Sequence, residues 1–241
     1  MRQRNDAPQT EKADMKILKV KHIAGCVAAA AIIIMANGCG TTKSVQKVPE
    51  ATAPVAAPET VKETLPGRLP DGRDGFIITE TAKMSAADRR AFQEAVTLLN
   101  TGTYAQAIEI LEKITANAPG VTAPYINLGI AYARTDKGEA AEAQFKKALE
   151  LVPGHPVASN ECGLLYRKKG RFDEARAMYE QALAAYPNYY PAHRNLGILC
   201  DLYLNDLESA MAHYKVYTQA MPKDDKVKLW IADLQARMGG K

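Results

Sequence analysis

The sequence predicts an all-α fold: four antiparallel helical hairpins stacked in a row and closed by one further helix. Three observations carry this. Pro119, Pro153 and Pro187 stand 34 residues apart, and Pro222 follows after 35. Ala107, Ala141 and Ala175 keep the 34-residue interval, with Ala210 again one residue late. Gly129, Gly163 and Gly197 repeat it a third time. A fixed period of this length marks one supersecondary unit used repeatedly, each copy burying its apolar face against the next. Composition agrees, since 47% of the residues are apolar and only 7% aromatic, with Ala abundant, as closely packed helices require.

The array does not begin at residue 1. Within residues 1–22, six basic side chains (Arg2, Arg4, Lys12, Lys16, Lys19, Lys21) face three acidic ones (Asp6, Glu11, Asp14), a net +3 against +4 for the whole chain. The remainder is therefore close to neutral, which argues against a nucleic-acid partner, because phosphates demand clustered Lys and Arg. From Ile23 to Gly38 there is no charge. Sixteen apolar and small residues are short for a bilayer span, which needs about 20, and after a basic stretch they read as a secretory signal peptide over 1–38. Met15 is an alternative start, since Met15 to Lys21 is a more ordinary basic opening. Ala36-Asn37-Gly38-Cys39 resembles the bacterial lipobox, in which cleavage precedes a Cys that receives diacylglycerol. Ala36 stands where that family usually has Leu. Ile23-Ala24-Gly25-Cys26 is a better literal match but precedes the apolar run rather than following it, so Cys39 is the expected lipidation site. Gly40 after it, rather than Asp, points towards the outer membrane by the same resemblance.

Residues 39–84 change character. Pro49, Pro54, Pro58, Pro66 and Pro70 sit among Ala, Thr, Val, Lys and Glu, and no period of 2 or 3.6 survives them. The expectation is a disordered Pro/Ala-rich tether. As a coil of about 45 residues it would span about 35–40 Å. Gly75-Phe76-Ile77-Ile78 is its one apolar spot and is expected to pack against the first repeat.

The repeats follow, over 85–241. The unit 122–155 holds Leu128-Gly129, Tyr132, Ala141, Phe145, Ala148 and Pro153. The unit 156–189 holds Cys162-Gly163, Tyr166, Ala175, Tyr179, Ala182 and Pro187. The unit 88–121 has Ala95 in place of Gly, then Ala107, Leu111 and Pro119. The unit 190–224 has Leu196-Gly197, one extra residue between Tyr203 and Asp206, then Ala210, Tyr214 and Pro222. Leu-Gly at 7–8, Tyr at 11, Ala at 20, an aromatic at 24, Ala at 27 and Pro at 32 resemble the tetratricopeptide repeat (TPR). The resemblance implies a right-handed superhelix of helix-turn-helix units that binds other proteins. Small residues at 8, 20 and 27 mark where helices approach closely, large aromatics at 11 and 24 fill the space beside them, and Pro at 32 stops the second helix. Gly102 and Gly170 suit the turns within a unit. Ser85 to Asp88 reads as a capping box opening the first helix.

Residues 225–238 form a cap helix. Asp224 or Asp225 suits its start, and Val227, Leu229, Trp230, Ala232, Leu234 and Met238 include an apolar stripe for the last repeat. Tyr217 replaces the small residue at 27 there, so the cap is expected to stack at an altered angle.

In this family positions 2, 5, 6, 9, 12 and 13 face a concave groove. Carried over, the resemblance nominates Phe92, Val96, Ile126, Asn127, Ile130, Arg134, Asn160, Glu161, Leu164, Arg167, Lys168, Arg194, Asn195 and Ile198. Apolar members supply burial, Asn127 and Asn195 can bond an extended backbone, and the cations can meet carboxylates. The Lys/Asn/Asn/Lys/Arg carboxylate clamp of some relatives is absent, since Phe92 and Val96 hold its first two positions. No metal-ligand spacing joins His22, His155, His193 and His213 to one another or to Cys, and no phosphate loop or nucleophile elbow occurs. No catalytic residue, cofactor or metal is expected. Cys162 and Cys200, at core positions 7 and 11 of successive repeats, read as buried thiols, with a disulfide between neighbouring helices as the alternative.

The resulting expectation is an envelope scaffold, lipid-anchored and facing the periplasm. It looks like pilotin and adaptor lipoproteins serving pili, secretins, outer-membrane assembly, TolQ/ExbB-like systems or peptidoglycan machinery. A self-assembling solenoid and a cell-wall hydrolase are the competing classes.

Overall fold

The computed structural model describes residues 65–68, 74–78 and 80–240. The signal peptide, Met15, Cys26, Cys39 and the first part of the tether lie outside them. Among the described residues nine helices follow one another: α1 (Ala86–Asn100), α2 (Tyr104–Asn117), α3 (Thr122–Arg134), α4 (Gly138–Leu151), α5 (Pro156–Lys168), α6 (Phe172–Ala185), α7 (Tyr190–Leu202), α8 (Leu207–Ala220) and α9 (Asp225–Gly239). Consecutive helices pack as hairpins, and α1, α3, α5 and α7 are also neighbours down one side. This is the all-α TPR superhelix that the period predicts, with α3, α5 and α7 opening at the expected repeat starts. None of these helices is long and apolar enough to cross a membrane.

The reason for each small residue is visible at the crossings. A Cβ added to Gly129 would lie 2.6 Å from the Phe145 ring, one on Gly163 2.6 Å from Tyr179, and one on Gly197 2.6 Å from Tyr214. The aromatic at 24 therefore lies directly on the glycine at 8 of the same hairpin, rather than beside the crossing as the sequence reading has it. Ala107, Ala141, Ala175 and Ala210 at position 20 are wholly buried, as are Ala148 and Ala182 at position 27. Each second helix ends two residues before its proline; of the intervening residues, Val152 and Tyr186 are extended, and Ala118 and Met221 also leave the helical region. A following proline disfavours that region.

The turns within the hairpins need a left-handed residue. Gly102 and Gly170 supply it at φ 78° and 75°, while Asp136 and Asn205 hold the equivalent places at 58° and 52°. These are the two side chains most tolerant of that region. The extra residue of the fourth repeat falls in this turn, since α7 ends at Leu202 and α8 starts only at Leu207. Ser85 caps α1, its hydroxyl accepting from the Asp88 amide at 3.0 Å.

Three expectations need correction. The tether is not without regular structure to its end. Strands β1 (Leu65–Arg68) and β2 (Asp74–Ile77) pair antiparallel with Leu65 opposite Ile77 and Gly67 opposite Gly75. Beyond them Met84 is buried, and the Glu80 carboxylate accepts from the Thr122 amide at 2.8 Å. A period search cannot register a four-residue strand pair. In the cap, neither Asp224 nor Asp225 bonds the helix start through its side chain. Asp224 stands at the cap position, but its carboxylate accepts from the Tyr217 hydroxyl at 2.9 Å. Finally, Val227 and Leu234 are the buried seam of α9, whereas Leu229 is 70% exposed and Ala232 is also exposed.

Inter-repeat stitching is partly polar. Glu142 on α4 accepts from Tyr166 at 3.2 Å, Lys169 at 3.0 Å and Arg171 at 2.8 Å, and pairs with Lys146 at 2.9 Å. Burial alone would raise its pKa, but these donors hold it at about 2. Arg176 of α6 meets Asp206 in the next turn at 3.4 Å.

Candidate protein-binding groove

The first helices of the repeats carry the nominated residues on one continuous face, and the structure sorts them by exposure. On α3 that face is closed, while α1 leaves Arg89 and Gln93, at positions 2 and 6, exposed. Phe92 and Val96 are buried, and on α3 every residue from Val121 to Ala131 is buried, including the face positions Ala123, Ile126, Asn127 and Ile130. Asn127 spends its amide on the Ala123 carbonyl of its own helix at 2.9 Å. Only Arg134, at the end of α3, is exposed.

The face is more open in the third and fourth repeats. Leu164, Arg167 and Arg194 are half-buried and Lys168 is exposed. Asn160, Asn195 and Ile198 are buried beneath them. The two amides join across repeats, the Asn195 amide donating to the Asn160 oxygen at 2.9 Å. Asn160 in turn donates to Glu161 at 3.1 Å. Burial pushes the Glu161 carboxyl up to about 7, against the Asn160 bond and the nearby Arg134 charge. A carboxyl poised there can donate a hydrogen bond to a partner carbonyl when protonated or accept one from an amide.

The cations are not equally available. Lys168 pairs with Asp136 at 2.5 Å, an exposed contact of small energetic weight. The Arg194 guanidinium lies 5.2 Å from the centre of the Trp230 ring. Arg134 and Arg167 make no ion pair among the described residues.

Sequence reasoning missed that the cap prolongs this face. α9 starts 35 residues after α7, so Leu229, Trp230 and Arg237 fall at positions 5, 6 and 13 of a fifth first helix. The interval from Tyr190 to Asp225 was the available signal. Arg237 bonds Asp201, a carboxylate with 6% of its side chain exposed, and also Asp233, which locks α9 to α7. Exposed Leu229 and Leu202 at 67% add apolar surface at this end.

Elsewhere, tertiary packing unites residues the sequence leaves apart. The Nδ1 atoms of His193 and His213 are 2.9 Å apart, and His193 Nε2 lies 2.9 Å from the Pro187 carbonyl. That carbonyl keeps the proton on His193 Nε2, so His213 donates to His193 Nδ1. The ring centres are 5.2 Å apart, so the two nitrogens point at one another. This is a hydrogen bond, not two lone pairs converging on a metal. Cys162 and Cys200 are both free and buried, and burial raises both to about 11, so neither is a nucleophile at neutral pH. No group of three or more His, Cys, Asp or Glu suited to a metal occurs among the described residues.

Two family models, both described as tetratricopeptide repeat, match residues 121–188 and 163–225. Residues 121–225 thus match tetratricopeptide repeats, a class whose general work is holding other proteins. No curated protein matches the chain in sequence. Solved structures share the fold. MamA from Desulfovibrio magneticus RS-1 is 22% identical over 65% of this chain and 88% of its own, with a TM-score of 0.56. A thermophilic TPR protein of Thermus thermophilus is 24% identical over 62% and 81%, with a TM-score of 0.55. PilF from Pseudomonas aeruginosa is 20% identical over 64% and 70%, with a TM-score of 0.59.

Proposed function

We propose that this chain is a scaffold of the bacterial cell envelope, anchored by lipid on Cys39 and facing the periplasm from the outer membrane. Its repeats hold a partner polypeptide on the face formed by α5, α7 and α9. The observation that carries this reading is that face itself. Leu164, Leu202 and Leu229 offer apolar surface beside Arg167, Arg134 and the Asn195–Asn160–Glu161 chain. Amides and a carboxyl of this kind suit an extended backbone, and the arginines suit acidic side chains. The groove residues of the first two repeats, Phe92, Val96, Ile126, Asn127 and Ile130, contribute shape from beneath.

The partner belongs to an envelope assembly: a pilus or secretin, outer-membrane insertion, a TolQ/ExbB-like system or peptidoglycan machinery. The experiment is photo-crosslinking in the source cells with a reactive residue at Leu164 or Arg194. A dominant envelope protein captured from both positions is the expected result. Capture only from the convex helices, with none from α5 or α7, overturns the groove. The anchor is tested separately. Cys39→Ser should leave the protein unprocessed or release it from membranes, and normal mass with normal fractionation refutes lipidation.

A further inference from the structure

The groove is closed over α3 and more open over α5, although the two helices have like neighbours. Each first helix has neighbours of its own kind on its flanks. α5 lies between α3 and α7, yet Val157, Glu161 and Leu164 at positions 2, 6 and 9 stay half-exposed. α3 lies between α1 and α5 in the same way, yet Ala123, Asn127 and Ile130 at those positions are buried, with Ile126 at 2% exposure between them. What distinguishes α3 is the segment that precedes α1.

The chain itself arrives at that place. Glu80 accepts from the amide of Thr122, the first residue of α3, and lies 42 residues away in sequence. A Cβ on Gly120, in the turn before α3, would lie 2.8 Å from the Ala82 Cβ. Arg89 holds the Met84 carbonyl at 2.7 Å, and Met84 is buried. The segment before α1 is thus strapped to the α3 end of the groove. β2 ends at Ile77, three residues before Glu80, so with the reach of the Glu80 side chain its end lies within about 17 Å of the α3 start. The covered stretch from Ala123 to Ile130 is about 10 Å long at 1.5 Å per residue. A four-residue strand is about 13 Å long, which matches it.

We propose that the β1–β2 hairpin lies along the concave face of α3 as an intramolecular occupant. It fills the part of the groove over α3 that an external polypeptide would otherwise enter, and confines the partner to α5, α7 and α9. The reading rests on the concave face being the binding face. Its test needs no partner, so it fails or stands independently of the function above.

The test is thiol accessibility in the full chain. In a background with Cys26 and Cys39 replaced by Ser and the buried Cys162 and Cys200 by Ala, a single Cys is placed at Ala123 on α3 or at Leu164 on α5, and its reaction with a small maleimide is timed under native conditions. With the hairpin intact, Ala123→Cys should react at least tenfold more slowly than Leu164→Cys. Adding Gly75→Pro and Glu80→Lys, which break the strand pairing and the strap, should raise the Ala123→Cys rate at least tenfold and leave Leu164→Cys unchanged. Helical circular dichroism of each variant confirms that the array is intact. If disruption of the hairpin leaves the Ala123→Cys rate unchanged while the helices persist, the array covers α3 by itself and the proposal fails. If that rate instead falls with protein concentration, a second copy is the occupant and the proposal fails in favour of self-association.

Discussion

Gly163→Ala sets two familiar effects against each other. Alanine in a helix interior is better than glycine by about 1 kcal/mol, so on propensity alone the change should stabilise α5. The crossing decides otherwise. The new Cβ would lie 2.6, 2.8 and 3.0 Å from three carbons of the Tyr179 ring, which is wholly buried. The ring cannot swing away, because Ala175 and Ala182 flank it on α6 with no exposure of their own. The hairpin must open or the ring must leave its rotamer, at about 1–3 kcal/mol and sometimes more. Net destabilisation is expected at about 1–2 kcal/mol. Urea denaturation followed by circular dichroism measures it as a fall in midpoint at constant slope. A double-mutant cycle with Tyr179→Leu isolates the cause, since removing the ring removes the clash. The double variant should be at least about 1 kcal/mol more stable than the two single losses added together. A more stable Gly163→Ala protein, or simple additivity within about 0.5 kcal/mol, would refute the steric account.

Other consequences are as direct. The Tyr179 hydroxyl is buried without a hydrogen-bond partner among the described residues, and Phe145 holds the equivalent place one repeat earlier; Tyr179→Phe should therefore be neutral or stabilising by up to about 1 kcal/mol in the same urea assay. His155 caps α5, its Nδ1 accepting from the Ala158 amide at 3.4 Å, and burial depresses its pKa to about 4. The folded state therefore prefers neutral His155, and its contribution is complete above about pH 6.5 and is lost as pH falls towards 4. At about pH 5 the loss is about 2 kcal/mol, and His155→Asn, which keeps a capping acceptor, should flatten that part of the stability–pH curve. His193 and His213 are depressed in the same direction and steepen the same window. Arg237→Ala strips the buried Asp201 carboxylate of its guanidinium. α9 should then fray first, seen as faster amide exchange over 225–239 with the exchange of α3–α6 unchanged.

The division between sequence and tertiary structure follows from how a repeat array is built. Repeat starts, the prolines that end each second helix, the extra residue of the fourth turn and the Ser85 cap are all legible because each depends on residues within one or two units. Gly129, Gly163 and Gly197 announce close approaches because no other residue leaves a ring that much room. The left-handed turn positions were half legible, since Gly102 and Gly170 declare themselves while Asp136 and Asn205 emerge only from their φ angles. What the period cannot encode is contact between a repeat and something that is not one. Glu80 reaches Thr122 from outside the array, His193 meets His213 across a hairpin, and Arg237 reaches Asp201 from the cap. These depend on the path of single segments through space. The groove residues show the difference most plainly. Sequence alone placed Ile126, Asn127 and Ile130 on the same face as Leu164 and Arg194. Only the tertiary structure decided that the first three are closed off and the last two remain within reach of solvent, because exposure belongs to whatever lies opposite a side chain and not to the helix that carries it.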